Sequence, residues 1–437
     1  MRNKLDLENF ARYIGFRTIS QSQDSFSEHE ECVRWMKEYF VTFCDSVEIY
    51  QTKKRPVLIA RVGSGRQVLI YGHYDVVHAS KTEGWYDDPF KLLERDGKLF
   101  GRGVSDNKGH FWTCVQAVKN LLVENQLPCQ VVFFLEGEEE AEGDGTLSFI
   151  EQEGKRILAD CDLALLVDSH GLTTDIELLT LGTRGNTTLT GTWVLRDNDV
   201  HSGMYGGLLK NPVLEASKLI SDMQDYRKIP GFMDDFVSPE FEFEIDKFIT
   251  AARTRLGASA DSEVWGDDTL NFLTVGLYPS IEVTGISAGY TGPGVQNAIP
   301  SKIQLKFSIR TAYNQNTEAC ANALMSYLRS VGHGVWDFSD FKPGRYENSQ
   351  PYRISFHDKD VTATYNAIKN ATGNLVLPHW SGGSLPIAPF FLELGIKSII
   401  FGFGLLEDNI HGVNENMKIS QMEKGFRIVQ EVLAAVS

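Results

Sequence analysis

Apolar positions run along this chain in two rhythms. In "LDLENFARYIGFRTI" and "EECVRWMKEYFVTF" they recur at helical spacing. In "SVEIYQT", "RPVLIARVG" and "RQVLIYGH" they form short runs bounded by turn residues, which predicts strands. "DNKGHFWTCVQAVKNLLVEN" then places Phe111, Cys114, Val115, Val118, Leu121 and Leu122 on one helical face. "CQVVFFLEG", "CDLALLVDS" and, near the end, "GIKSIIFGFG" are unbroken apolar runs, the pattern of strands covered on both faces. "SQMEKGFRIVQEVLAAV" reads as a closing helix. Strands alternating with helices predict an α/β fold with a mostly parallel sheet flanked by helices.

The middle of the chain breaks that rhythm. From about Thr183 come "NTTLTGTWVL", a helix near "NPVLEASKLISDMQDY", a polar stretch to about Asp268, the strands "SIEVTGISA" and "IQLKFSIR", and a helix over "TEACANALMSYLRSV". Two strand–helix pairings of this size predict a smaller α+β domain, residues 183–349, inserted into a larger one made of 1–182 and 350–437. A length of 437 residues suits two domains.

Composition narrows the function classes. Hydrophobic residues make up 42%, enough for a large core. Lys plus Arg is 42 and Asp plus Glu 58, a net charge of −16, which repels polyanions and excludes nucleic acid as an expected partner. The six cysteines form no CxxC pair and read as reduced structural thiols. "MRNKLDLENFARYIG" has no apolar signal region, and no apolar run approaches the ~20 residues of a membrane span. A cytoplasmic protein with no membrane partner is the expectation.

The predicted strands share one property at their carboxyl ends. The strand at Val68–Tyr71 leads to His73 and Asp75; that at Val131–Leu135 leads to Glu136 and the run "EGEEE"; that at Leu163–Val167 leads to Asp168; that at Ser398–Phe401 leads, after a loop, to His411; and Asp106 lies in "GRGVSDNKG", just before a helix. Ligands of open α/β sheets bind beyond the carboxyl ends of the strands. His73, Asp106, Glu140, Asp168 and His411 therefore converge as candidate metal ligands. Two imidazoles and three carboxylates suit zinc, with manganese or cobalt as alternatives. Five side chains are too many for one open tetrahedral site and suit two ions sharing a bridging carboxylate, for which Asp106 is the natural choice. Asp75 can accept the second ring N–H of His73 and fix its tautomer. An HxD pair alone, or a run of Glu alone, reads as a solvated loop; their joint occurrence at strand ends carries the argument.

The stretches "GHYDVV", "GWYDDPFKLLERDGKLFGRGVSDNKG", "FFLEGEEEAEG", "NDVHSGMYGG", "FSIR", "SGGSLP" and "HGVNE" resemble the di-zinc metallopeptidase family of glutamate carboxypeptidase, cytosolic dipeptidase, aminoacylase and succinyl-diaminopimelate desuccinylase. The resemblance covers nearly the whole chain, in order. It implies that His73, Asp106 and Asp168 hold one divalent ion and that Asp106, Glu140 and His411 hold the other. Glu139 then acts as general base toward the attacking water. It also implies a homodimer in which His201, in the inserted dimerisation and lid domain, reaches the other subunit's site and stabilises the oxyanion. Arg310 and the loop carrying Gly383 and Ser384 grip a free substrate carboxylate, with Asn297 in the same pocket.

The chain departs from the family where EGxEExGS is usual. It has "EGEEEAEGDG" there, which leaves a Glu138 base with a Glu139 ligand as the alternative register. It also reads "DVVHAS" where a proline is common. His110 and His170 read as surface or supporting groups, His29, His333, His357 and His379 as unrelated to the site, and Trp85, Trp112 and Trp380 as packing. Arg184 reads as a hinge into the insertion.

The expected activity is hydrolysis of an amide bond in a small peptide, of dipeptidase or carboxypeptidase type. The alternatives are N-acyl-amino-acid deacylation and, further off, a catalytically silent peptide-binding protein or a phosphoester hydrolase. No P-loop and no basic cluster supports the last.

Overall fold

A computed structural model of the chain describes all residues except 1–3, 21, 23–24, 142, 239–244, 246, 249 and 252–272. Much of the polar stretch that runs to about Asp268, and Glu142 of the glutamate run, lie outside the described residues.

The unbroken apolar runs become the middle of a nine-stranded sheet. In hydrogen-bonded order its strands are Ser46–Tyr50, Val57–Val62, Gln130–Glu136, Gln67–His73, Cys161–Val167, Lys397–Phe401, Ile176–Thr183 and Tyr352–Arg353, with Leu375–Ser381 also paired to Ile176–Thr183. The four strands from Gln130–Glu136 to Lys397–Phe401 are mutually parallel, and both sides of this centre add antiparallel pairs. Burial explains the patterns. Val68 and Ile70 point into one core layer while Leu69 and Tyr71 point into the other. Val131, Phe133 and Leu135 are divided from Val132 and Phe134 in the same way. A strand whose alternate residues are both covered loses its polar positions, as helical crossovers demand.

One layer is covered by the helices Leu7–Gly15, Phe26–Phe40, Lys108–Val123, Lys359–Thr372 and Ile419–Val436, the other by Asp144–Ile157 and Ile387–Glu393. Trp112, predicted as packing, is fully buried and stacks within 6.2 Å of Phe10 and 6.1 Å of Trp35.

A second, four-stranded antiparallel sheet has the order Ser280–Ala288, Lys302–Thr311, Gly185–Val194, Val335–Asp337. Here burial alternates along each long strand. Leu189, Trp193, Leu305 and Phe307 face the helices Pro212–Met223 and Thr317–Ser330, while the alternate residues on the other face are half-buried or exposed. Arg184 is the single residue between the last strand of the large sheet to this point, Ile176–Thr183, and the first strand of the small one. The chain returns to the large sheet at Tyr352–Arg353, paired with Gly182 and Thr183.

Candidate metal centre

The Gln67–His73 strand runs two residues beyond the expected Tyr71, so His73 is its last member. Gly72 permits this, because a Cβ there would drive into the ring of Phe111 on the covering helix. His73 and Asp75 are both fully buried. His73 Nδ1 lies 3.0 Å from the carbonyl oxygen of Asp75 and 3.3 Å from its carboxylate. The backbone carbonyl, rather than the carboxylate alone, takes the ring proton. The carboxylate accepts from the Ser20 hydroxyl at 2.6 Å and from the Glu140 N–H at 3.0 Å, so Asp75 joins the His73 strand to the glutamate loop. Either acceptor leaves Nε2 facing the cleft as the metal-binding tautomer requires.

Two groups of donor atoms meet there, each with atoms lying within 4.8 Å of one another: His73, Asp106 and Asp168, and Asp106, Glu140 and His411. Asp106 belongs to both. Its Oδ1 lies 3.2 Å from His73 Nε2 and its Oδ2 lies 3.0 Å from His411 Nε2. Glu140 Oε1 is 3.0 Å from the same His411 nitrogen, and Asp168 Oδ2 is 3.8 Å from His73 Nε2. Asn107, which follows Asp106 through a cis peptide bond, donates to Asp168 Oδ1 and to the Val167 carbonyl, each at 2.8 Å.

The donor set fits divalent cations. The buried Nε2 of His73 makes no well-formed hydrogen bond in spite of its carboxylate neighbours. Desolvation pushes Asp168 up to about 6 and Glu140 up to about 7, and drives Glu139 well above the ordinary carboxylate range. Asp106 is the exception: burial pushes it upward, but His411 and His73 hold it well below its ordinary value. His411, held by Asp106 and Glu140, rises to about 10. Crowded carboxylates that hold on to protons are what a bound cation relieves.

Glu139 belongs to neither trio but lines the same cleft as Asp106, Asp168 and His411. Glu138 faces elsewhere, its oxygens accepting from the N–H groups of Arg55 at 2.9 Å and Gly145 at 2.8 Å. The cleft, of about 350 Å³, continues past the apolar side chains of Leu385, Ile400 and Leu405 to Gly383 and Ser384. Arg310 Nη1 comes within 3.5 Å of Ser384 Oγ. Arg184 donates to the carbonyls of Gly383 and Gly382, both at 2.9 Å, through its backbone N–H and its Nε. His201 and Asn297 are both exposed, His201 on the segment Val200–His201 and Asn297 just before its partner segment Ala298–Ile299. They are not among the side chains lining this cleft.

His110 departs from the surface reading. It is buried, donates to the Ser105 carbonyl through Nδ1 at 2.5 Å and accepts from the N–H groups of Phe403 and Gly404 through Nε2. Burial lowers it to about 4, so it stays neutral and braces the two loops. His170 is half-buried and lines the cleft. Ser20, Arg102, Asn107 and Glu415 were not singled out in the sequence. Only the "GRGVSDNKG" and "HGVNE" motifs, which contain the last three, hinted at them.

The fold and this paired donor site define the class of metal-dependent hydrolases acting at the rim of a mixed α/β sheet. The sequence pattern of peptidase family M20/M25/M40 matches residues 69–435, and the chain belongs to that family of metal-dependent peptide hydrolases. It is 31% identical to the Beta-Ala-His dipeptidase of Homo sapiens over 374 residues, 83% of this chain and 74% of that one. It is 28% identical to the Cys-Gly metallodipeptidase dug1 of Schizosaccharomyces pombe over 400 residues, 85% of this chain and 81% of that one. Among solved structures, an M20 family metallo-carboxypeptidase, Sso-CP2, from Sulfolobus solfataricus superposes with a TM-score of 0.81 at 25% identity, covering 98% of each chain. The family resemblance drawn from the motifs holds.

Proposed function

We propose that the protein hydrolyses the amide bond of dipeptides that carry a free carboxylate, with two divalent ions, zinc first among them. One observation carries this reading: two donor trios share Asp106, and a half-buried glutamate, Glu139, stands beside them without belonging to either. His73, Asp106 and Asp168 would hold one ion and Asp106, Glu140 and His411 the other. Ions bound there supply a Lewis acid for the amide carbonyl and lower the pKa of a water from 15.7 to about 7.

The chain's own residues do the rest. Glu139 takes the proton of the attacking water and returns it to the leaving nitrogen. The desolvation that raises its proton affinity suits it to that exchange. Asp75 keeps the His73 ring in register. Arg310, with Gly383 and Ser384, grips the substrate carboxylate, and Asn297 joins that pocket. The dipeptidase names of the two relatives support the substrate class.

The same reading makes residues 1–182 and 350–437 the catalytic domain and 183–349 a dimerisation and lid domain. His201 serves the site of a second subunit in a homodimer. Exposed Leu208, Leu214 and Ile286 support an apolar contact face on the small domain. A cytoplasmic location belongs to the proposal too, supported by six cysteines that are all free. Among the described residues no helix is long and apolar enough to cross a membrane.

The test is a panel of dipeptides and N-acetylated amino acids, assayed after chelation and after return of zinc, manganese or cobalt. Metal-restored cleavage of dipeptides supports the reading. Preference for the acetylated amino acids moves it to deacylation. Equal turnover after exhaustive chelation ends it.

A further inference from the structure

A buried ion pair lies outside both donor trios and touches the loops that carry them. Glu415 is fully buried and Arg102 is 2% exposed. Glu415 Oε2 accepts from Arg102 Nη1 at 2.8 Å and from the Gly103 N–H at 2.9 Å. Its Oε1 accepts from the N–H of Ser105 at 2.9 Å and of Asp106 itself at 3.0 Å. One carboxylate thus gathers three backbone donors of the loop that ends on the shared ligand. Gly103, at φ 87°, takes the left-handed conformation that glycine tolerates best. Arg102 reaches the other way: Nη2 donates to the Gly412 carbonyl at 3.1 Å and to the His78 carbonyl at 3.4 Å, and its guanidinium lies 5.1 Å from the Trp85 ring centroid.

Asn409, His411 and Asn414 all adopt left-handed φ angles of 57°, 60° and 59°. Asparagine adopts that conformation readily, so His411 is the residue its surroundings must hold there. The carbonyl next to His411 is pinned by Arg102, and the loop's far end is Glu415 itself.

The first trio has separate support. Asn107 holds Asp168 through its Nδ2 and takes the His73 N–H on its Oδ1 at 3.3 Å, and neither contact involves Glu415.

We infer that Glu415 and Arg102 are positioning residues that set the distance between Asp106 and His411, and so govern binding of the ion held by Asp106, Glu140 and His411 more than that of the other ion. This rests on the two-ion reading above. Partners that orient metal ligands are worth about 10–100-fold in metal affinity.

The experiment measures metal retention per chain against a graded chelator, together with the melting temperature of metal-free protein, for Glu415→Gln, Arg102→Lys, His411→Ala and the Glu415→Gln/His411→Ala pair. Arg102→Lys keeps a charge on Glu415 but loses the fork that spans Glu415 and Gly412, and it serves if the glutamine variant does not fold. The expected result is that one ion weakens by about 10–100-fold in Glu415→Gln and by less in Arg102→Lys. It should be the ion that His411→Ala removes, so that the pair of substitutions loosens the remaining ion little beyond His411→Ala alone. The inference is overturned if both ions keep their affinities while only the metal-free melting temperature falls, or if both weaken alike. A wild-type protein that takes up no metal overturns the two-ion reading and this inference with it. Two well-held ions in the wild type and in both single variants of the ion pair overturn the inference alone.

Discussion

Replacing Glu139 by Gln separates metal binding from proton transfer. Glu139 is absent from both donor trios, so the amide leaves all five candidate ligands in place. It lines the cleft beside Asp106, Asp168 and His411, so the amide also keeps the shape of the wall. What is lost is a proton acceptor. A positioned general base contributes about 10²–10⁴-fold, which corresponds to roughly 3–5.5 kcal/mol of barrier. The assay is steady-state hydrolysis of the best dipeptide with metal content measured on the same sample. The expected outcome is two ions per chain, kcat down by about 10²–10⁴-fold and KM within a few-fold of the original. Undiminished kcat with both ions bound refutes the role. Loss of one ion instead makes Glu139 a ligand and moves the register to a Glu138 base.

Three further outcomes are expected. In the metal-free protein Asp168 and Glu140 hold protons that the unfolded chain releases, and His411 gains stability from protonation that fades above its ordinary 6.5. All three act in one direction, whereas buried His110, His29 and His379, lowered to about 4, about 4 and about 3, oppose them only below their ordinary 6.5; the metal-free melting temperature should therefore fall between about pH 6.5 and about pH 8, and saturation with zinc should flatten that slope; a rise across that window contradicts the assignment. Arg310→Lys should raise KM by about 10–100-fold with a smaller change in kcat, since a paired, charge-assisted grip on a carboxylate is worth about 1.5–3 kcal/mol, and an unchanged KM removes Arg310 from the site. Trp112→Ala should cost about 3–5 kcal/mol in denaturant titration, because it empties a fully buried site among Phe10, Tyr13 and Trp35 and orphans the Leu5 carbonyl that the indole N–H reaches at 2.7 Å; a loss under about 1 kcal/mol contradicts the packing described.

The strands were legible where both faces are buried. Val131–Leu135 and Leu163–Val167 carry no polar residue because alternate side chains enter different core layers. Parallel direction was legible for the four central strands, which the alternation of strands and helices predicts, but not for the flanks. The antiparallel pairs on either side of the parallel centre depend on which segments meet, and periodicity is blind to that. His73, Asp106, Glu140, Asp168 and His411 could be picked out as titratable residues at or near strand ends. Their supports could not. Ser20 meets Asp75 across 55 positions and Arg102 meets Glu415 across 313. An isolated Ser, Arg or Glu in a loop has no local signature of such a contact. The choice between surface and supporting group for His110 was open for a related reason: its partners come from Ser105 on one side and from Phe403 and Gly404 on the other, and only the fold, which makes it a supporting group, brings them around one ring.

Three separate costs accumulate at this rim, and each is unfavourable by itself. His73 keeps a buried ring nitrogen without a well-formed hydrogen bond. Asp168, Glu139 and Glu140 are desolvated close enough to one another to be driven toward their neutral forms. His411 holds a left-handed backbone at φ 60°. A fold with two well-filled core layers can carry such a rim, but its core gives no reason for one. A divalent cation held by each trio would remove the first two costs together, since it would accept the lone pair of His73 and balance the carboxylates. It would also give His411 a use for the direction in which its strained backbone points it. Surface acids gathered by chance would be expected to splay into solvent. Here Asn107 holds the Asp168 carboxylate, Glu415 accepts from the backbone N–H of Asp106, Arg102 pairs with Glu415, and Ser20 donates to the Asp75 that supports His73; none of these four is in either trio. Such bracing has a physical rationale only where the charge it concentrates is to be matched by a guest.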